Sequence, residues 1–323
     1  MSTAEVIRDH LVVREVASLS ADVISISVAF DDGRPLPQWR PGDHIDIEFE
    51  PGLTRQYSLC GARAHTDAWT VAVRLDSASR GGSAFAHERL RAGDQVRVAG
   101  PRSKFTLENA PHHVLIAGGI GITPILTMAE HLAERGTPFH LYYFDRGVSR
   151  MVFAERLAAL GASAVVVNRD LDDTTTLATV LATAPRDALV YTCGPRRMLD
   201  EIAEIVGPNQ LRVEDFAPEA APFEAAGSAG DALESDAFEV QLGPGGPIHP
   251  VPSGCSLLDV LLNAGVDVMW SCREGNCASC ETPVLEGVPE HRDVILTDDE
   301  KAMNDVMFPC VSRSLTPRLV LDC

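Results

Sequence analysis

The sequence predicts a multi-domain protein: an antiparallel β-barrel, then an α/β doubly wound domain, then a small α+β domain. Three observations predict it. Residues 1–110 alternate short apolar strands with turns, whereas residues 111–217 alternate continuous apolar strands with helical segments. After an Ala-, Gly-, Pro- and acid-rich linker at 218–235, residues 236–323 carry a cluster of cysteines. At 323 residues and 45% hydrophobic, the chain can bury two or three cores, since single domains run about 100–200 residues.

In the first block the expected strands are Leu11-Val-Val, Val23 to Val28, His44 to Phe49, Thr70 to Arg74 and Gln95 to Val98. Turn signals at Pro41-Gly42, Pro51-Gly52, Gly81-Gly82, Ala92-Gly93-Asp94 and Gly100-Pro101 separate them, and that rhythm reads as an antiparallel barrel. The block also contains Arg55-Gln-Tyr57-Ser58-Leu59. On one strand, such a string can offer a phosphate a charge, a ring system a face and a polar ring edge a hydrogen bond. An ordinary barrel strand with an exposed arginine reads the same way. Arg74 and Arg80-Gly81-Gly82-Ser83 suit a second phosphate contact or a plain turn.

In the second block, strands at Val114 to Ala117, Phe139 to Phe144, Ala164 to Val167 and Leu189 to Tyr191 surround a helix over Ile125 to Glu134. Continuous apolar strands between helices indicate a parallel sheet. Gly118-Gly119-Ile120-Gly121-Ile122-Thr123-Pro124 stands between the first strand and that helix. Glycines there allow close backbone approach, and a helix N-terminus offers free amides to a pyrophosphate. The string is not the strict G-x-G-x-x-G, and a tight turn is the plain alternative. Cys193-Gly194-Pro195 also follows an apolar strand and should share its carboxyl edge. Two such turns on one edge make a ligand crevice.

In the third block we expect two strands around Gly243 to Gly246, a helix through Leu257 to Leu262, a helix announced by the capping-box pattern Thr297-Asp-Asp-Glu300, and a final strand at Arg318 to Leu321. Between the helices lies Cys272-Arg-Glu-Gly-Asn-Cys277-Ala-Ser-Cys280, and Cys310 follows after 29 intervening residues. This is the C-x4-C-x2-C…C spacing that holds a plant-type [2Fe-2S] cluster. A structural zinc site would pair the short C-x2-C with a second short Cys/His pair, and Cys310 has no such companion. Cys60, Cys193, Cys255 and Cys323 are scattered singly, which argues for a reducing compartment rather than a disulfide framework.

The formal net charge of −19 disfavours nucleic acid. The start has charges where a secretory signal needs an apolar stretch, and the longest uncharged run, Val114 to Ala129, is too short to span a bilayer. A cytoplasmic protein without membrane partners is therefore expected. From Asp236 to Cys323 there are 14 acidic and five basic residues; this excess serves solubility, or a docking face for a partner with a basic patch.

Taken together, these strings resemble the ferredoxin–NADP reductase superfamily, in the domain order of its phthalate dioxygenase reductase branch, the class IA oxygenase reductases. Vanillate demethylase reductases and the reductase domains fused to some P450 enzymes are similar in the same way. The resemblance covers essentially the whole chain and implies an FMN barrel, an NAD domain and a carboxyl-terminal plant-type ferredoxin of β-grasp fold. It implies cofactor-binding roles for Arg55, Tyr57, Ser58, Ala72, Arg74, Gly82 and Ser83, and for Gly118, Gly119, Gly121, Thr123, Pro124, Asp145, Cys193, Gly194 and Pro195. Cys193 would line the nicotinamide pocket, no residue would act by acid/base catalysis, and Cys272, Cys277, Cys280 and Cys310 would bind the cluster.

The implied function is a reductase component that carries electrons from NADH through FMN and the [2Fe-2S] cluster to a separate terminal oxygenase of Rieske type, acting on an aromatic ring or as an O-demethylase. No two-His-one-carboxylate site is recognisable among the ten histidines. Asp145, after the second strand of the nucleotide domain, can bind a ribose hydroxyl and repel a 2′-phosphate, while Arg146 beside it can do the opposite. Two departures stand out. Ala278 replaces a common glycine between the second and third cysteines, and Val213-Glu214-Asp215-Phe216 ends the nucleotide domain where the family often shows a different Glu-x-Phe spelling, leaving Phe216 only a candidate to face the flavin. Three alternatives remain open: a P450, free flavin or ferric iron as acceptor; a non-catalytic electron-carrier or redox-sensing module; and a zinc-stabilised binding protein.

Overall fold

The structure is a computed structural model that describes residues 6–62, 67–76, 81–146, 151–171, 174–216, 237–275 and 277–323. The expected linker at 218–235, Arg80 and Asn276 of the cysteine loop lie outside the described residues. The chain divides into two compact units, Met1–Pro218 and Glu219–Cys323.

The first unit opens with β1 (Ile7–Ser18), β2 (Val23–Ala29), β3 (Asp43–Glu48), β4 (Thr54–Ser58), β5 (Trp69–Arg74), α1 (Gly82–Glu88) and β6 (Gln95–Ser103). The strands form an antiparallel sheet in the order β4-β3-β6-β1-β2-β5. A bridge between Leu59 and Val71 nearly closes it into a barrel. Alternation builds the core: Ile45 and Ile47 pack with Leu11, Ile26, Trp69, Val96 and Val98, and Asp43, His44 and Asp46 of the same strand are also buried. Two turn expectations give way. Gly82 begins α1 instead of ending a turn, and β6 runs on through Gly100-Pro101. A register shift against β3 between His44 and Asp46 absorbs the proline, which has no N–H to give the ladder.

The same unit continues with β7 (His112–Gly118), α2 (Ile122–Glu134), β8 (Phe139–Asp145), α3 (Ala154–Ala159), β9 (Ala164–Asn168), α4 (Leu177–Ala182), β10 (Ala188–Cys193), α5 (Arg196–Ile205) and β11 (Leu211–Glu214). Its parallel sheet has the order β11-β10-β7-β8-β9. α2 begins three residues earlier than expected, because Ile122, Thr123 and Pro124 are themselves buried in the packing. Barrel and sheet are not separate bodies. One core joins Val23, Cys60, Ala72 and Phe105 of the barrel side to Leu115, Ile122, Ile125 and Tyr191. Arg156 crosses the same seam, gripping both Glu130 carboxylate oxygens at 2.6–2.7 Å and donating to the Cys60 carbonyl at 2.6 Å.

The second unit holds β12 (Phe238–Leu242), β13 (Ile248–Val251), α6 (Leu257–Asn263), β14 (Thr282–Glu286), β15 (Pro289–Glu290), α7 (Asp298–Met303), β16 (Val306–Met307), β17 (Arg313–Ser314) and β18 (Arg318–Leu321). Its mixed sheet runs β13-β12-β18-β14-β16, with β15 and β17 as a separate pair. α6 lies on the sheet through Leu257 and Leu261, both fully buried. α7 carries the expected capping box, with Glu300 accepting the Thr297 amide at 2.8 Å. Among the described residues no helix is long and apolar enough to cross a membrane.

Candidate cofactor sites

The two glycine turns of the first unit lie side by side. β7 and β10 are adjacent parallel strands with Ala117 opposite Cys193, so both turns leave at one carboxyl edge, as expected from sequence. Side chains are excluded from the contact: a Cβ on Gly194 would stand 2.9 Å from the Gly118 Cα, and one on Gly121 would overlap the Cys193 carbonyl. Beyond them α2 starts with no side chain capping it; the Ile122 amide already donates to the Gly119 and Ile120 carbonyls of the preceding turn and Pro124 has no N–H. Thr123 bonds the Ile120 carbonyl at 3.1 Å and Pro124 is buried; both shape the turn.

Facing this edge is the barrel string. Arg55 lies across Gly82, where a Cβ would overlap its side chain, and its Nη1 donates to the Thr54 carbonyl at 2.7 Å. Tyr57 packs toward Phe49, ring centroids 6.1 Å apart, and burial, opposed by Arg55, pushes its phenol above the usual range. Ser83 receives the Asp76 amide at 3.1 Å. Ala72 is buried in the seam core. Small residues beneath an arginine and beside an aromatic make a cradle that fits a flavin phosphate and ring.

Two contacts tie the barrel to the nucleotide sheet. Ser58 Oγ donates to Glu214 Oε2 at 3.4 Å, and Arg74 Nη2 to Asp145 Oδ2 at 3.0 Å. Burial pushes the Glu214 carboxyl up to about 8, although the Ser58 bond and Lys104 oppose it. Cys193 is fully buried, and burial with Glu214 and Asp215 nearby raises its thiol well above the ordinary value. Such a thiol stays protonated and is no nucleophile. Phe216 is 45% exposed two residues past the sheet edge. In the sequence Glu214 stands only within the Val213–Phe216 string; the signal that could mark it is an acid at the carboxyl end of the sheet's last strand. Asp22, whose Oδ2 lies 3.5 Å from Arg74 Nε, and Arg156 carry no local signal at all.

In the second unit the four cysteines converge. Cys272 and Cys277 share a hydrogen bond that, with burial, drives the Cys277 thiol upward. Cys310 bonds both Cys272, which lowers its thiol, and Cys280, which with burial raises it to a net of about 12. The sulfurs are thus linked in the order Cys277, Cys272, Cys310, Cys280. Among the described residues there is no group of three or more His, Cys, Asp or Glu side chains placed to hold a metal ion. Backbone amides point at them: Cys272 N lies 3.4 Å from Cys277 Sγ, and Glu274 N 3.3 Å from Cys272 Sγ. Four thiols with amide donors fit a [2Fe-2S] cluster, whose sulfur charge such amides stabilise.

The loop is held in unusual backbone. Arg273 and Ala278 have φ of 63° and 64°, which explains why glycine suits position 278. Arg273 is anchored by Asp259 at 2.7 Å and by the Trp270 ring at 4.2 Å. Gly275 receives the Val294 amide at 3.2 Å. Asp293, on the other flank, accepts the amides of Ile295 and Leu296 at 3.1 and 2.9 Å.

Comparison with known proteins agrees with this architecture. Residues 245–314 match the family described as 2Fe-2S iron-sulfur cluster binding domain. The chain is 39% identical over 320 residues to the putative toluene-4-sulfonate monooxygenase system reductase subunit TsaB2 of Comamonas testosteroni, covering 96% of this chain and 97% of that protein. Among solved structures, phthalate dioxygenase reductase, described as a modular structure for electron transfer from pyridine nucleotides to [2Fe-2S], is 31% identical with a TM-score of 0.66 and 98% coverage of both chains. Full-length CYP116B46 from Tepidiphilus thermophilus is 41% identical with a TM-score of 0.69 over 98% of this chain, which spans 42% of that protein's length.

Proposed function

The chain belongs to the phthalate dioxygenase reductase-like family of oxygenase reductases, and from that premise we propose that it carries electrons from NADH, through FMN and a [2Fe-2S] cluster on Cys272, Cys277, Cys280 and Cys310, to a separate terminal oxygenase of Rieske type. The observation that carries this is the meeting of the barrel with the carboxyl edge of the parallel sheet, Ser58 at the end of β4 with Glu214 at the end of β11 and Arg74 at the end of β5 with Asp145 at the end of β8. On this reading residues 1–110 are the FMN domain, 111–217 the NAD domain and 236–323 the ferredoxin domain.

Each residue has a part. Arg55 and Ser83 hold the flavin phosphate, with Gly82 leaving room beneath Arg55. Tyr57 and Ser58 flank the ring, and Ala72 is the small residue at its back. Gly118, Gly119 and Gly121 let the dinucleotide pyrophosphate reach the uncapped start of α2. Cys193, Gly194 and Pro195 line the nicotinamide side, where Cys193 excludes water and acts by shape alone. When bound, the flavin supplies the exchange between a two-electron hydride and a cluster that accepts one electron at a time. Two acids, Asp22 and Asp145, and two bases, Arg74 and Arg146, stand around the end of β8; of these the Asp145 carboxylate is the group proposed to disfavour an added 2′-phosphate and so to favour NADH. The acidic carboxyl-terminal unit steers a basic partner.

The likeness to CYP116B46 supports a second reading, in which the acceptor is a P450. Reconstitution decides between them: NADH-driven reduction of a purified Rieske oxygenase is expected, and transfer to a P450 haem alone, seen in its carbon monoxide difference spectrum, would put the second reading first. The ratio of kcat/KM for NADH and NADPH tests the donor, with NADH expected to be preferred.

A further inference from the structure

The ion pair at the mouth of the first glycine turn has more structure than a domain tie needs. Arg74 leaves the end of β5 and is only 25% exposed. Its Nη2 bonds Asp145 Oδ2 at 3.0 Å, and its Nε lies 3.5 Å from Asp22 Oδ2. Its Nη1 lies 2.5 Å from the point that a Cβ on Gly119 would occupy. The guanidinium therefore rests on the bare Cα of a residue whose φ of 55° also favours glycine.

Asp145 is committed on both oxygens. Oδ2 takes Arg74 and, at 3.4 Å, the Tyr143 hydroxyl; Oδ1 takes the Arg146 amide at 2.7 Å. The residue is 9% exposed. A carboxylate that selects a ribose must present free lone pairs to the ligand, whereas three of the roughly four acceptor sites here face the protein's own donors, both of those on Oδ2 among them. We propose that Asp145 is a positioning residue: it clamps Arg74 over Gly119, fixing a cation where the dinucleotide pyrophosphate meets the start of α2, and does not itself bind the adenosine ribose. This rests on the assignment of Gly118 to Pro124 as the nucleotide turn. Asp145 then sets affinity for NAD(H) and NADP(H) together and influences the choice between them only through the net charge of Asp22, Arg74, Asp145 and Arg146.

The test is titration of NAD+ and NADP+ into the flavin-loaded full chain by calorimetry. For Asp145→Ala, Kd for both nucleotides should rise about tenfold, the loss of one charge-assisted hydrogen bond, with their ratio changed by less than about threefold. Asp145→Asn, which keeps an oxygen for Arg74, should recover most of the loss. In an Arg74→Ala background, Asp145→Ala should add nothing further. A rise confined to NAD+ that shifts the ratio tenfold or more toward NADP+, persisting without Arg74, would overturn the proposal and make Asp145 the ribose ligand. Absence of saturable NAD+ binding by the wild-type protein would instead remove the nucleotide assignment beneath it.

Discussion

The glycine turns of the first unit and the cysteine loop of the second are both tight and both sit on apolar cores, yet they hold their chemistry in different parts of the chain. At the sheet edge the close contact is made by backbone, brought together because Gly118, Gly121 and Gly194 lack side chains. In the loop the working groups are side chains, four thiols carried on backbone that includes two left-handed non-glycine residues. The first site is supported by a core that runs across the barrel and the parallel sheet, the second by a small cluster of Leu258, Ala278, Cys280 and Phe308. A backbone site therefore fails when an atom is added, and a side-chain site when one is removed.

The largest effect should come from the loop. Cys310→Ser is expected to reduce electron delivery to cytochrome c to background while NADH oxidation with ferricyanide continues; parallel loss of both rates would mean that the two sites do not act in sequence. At the sheet edge, Gly121→Ala sets a methyl against the Cys193 carbonyl, which belongs to a central strand and cannot move aside. It should destabilise the first unit by about 3 kcal/mol in a denaturant titration. Gly82→Ala meets only the flexible Arg55 side chain and should weaken FMN retention while leaving the unfolding midpoint nearly unchanged.

Arg156→Ala tests whether barrel and sheet share one stability. Losing its charge-assisted bonds to Glu130 and Cys60 should cost about 2 kcal/mol and shift the unfolding of both parts of the unit together. Separate transitions would show that the seam is not continuous. Glu214 gives a pH signature. Its carboxyl ionises near 4.5 when unfolded but only at about 8 when folded, so between those values the folded state holds the extra proton. Its contribution to stability is present at acid pH and is lost as pH rises from 4.5 through 8. Glu214→Gln should flatten that slope in melting curves. Ala278→Gly is the smallest change: relief of left-handed strain, about 1 kcal/mol, is offset by the lost methyl and the freer unfolded chain, so the melting temperature should hardly move.

The same contrast explains what was legible in the sequence. The cysteine spacing stands on four side chains and could be read directly, as could the capping box at Thr297 and Glu300. The glycine turns showed as strings, but the contact between Gly118 and Gly194 depends on two strands 70 residues apart becoming neighbours. The Ser58–Glu214, Arg74–Asp145 and Arg156–Cys60 contacts span 156, 71 and 96 residues, and nothing local announces them. Short elements were missed for a related reason: α1 begins on a glycine pair that reads as a turn, and α4 and the two-residue strands β15, β16 and β17 owe their form to tertiary packing rather than to periodicity. Gly100-Pro101 misled because its strand tolerates the proline by slipping register.

The central claim is that the two sites form one electron path. It is tested most directly by the visible absorption spectrum of the purified protein under anaerobic conditions, before and after one equivalent of NADH. Flavin bands and broad iron–sulfur absorption that bleach together are the result this account predicts. A colourless protein, or a flavin that bleaches with no cluster absorption, would contradict it.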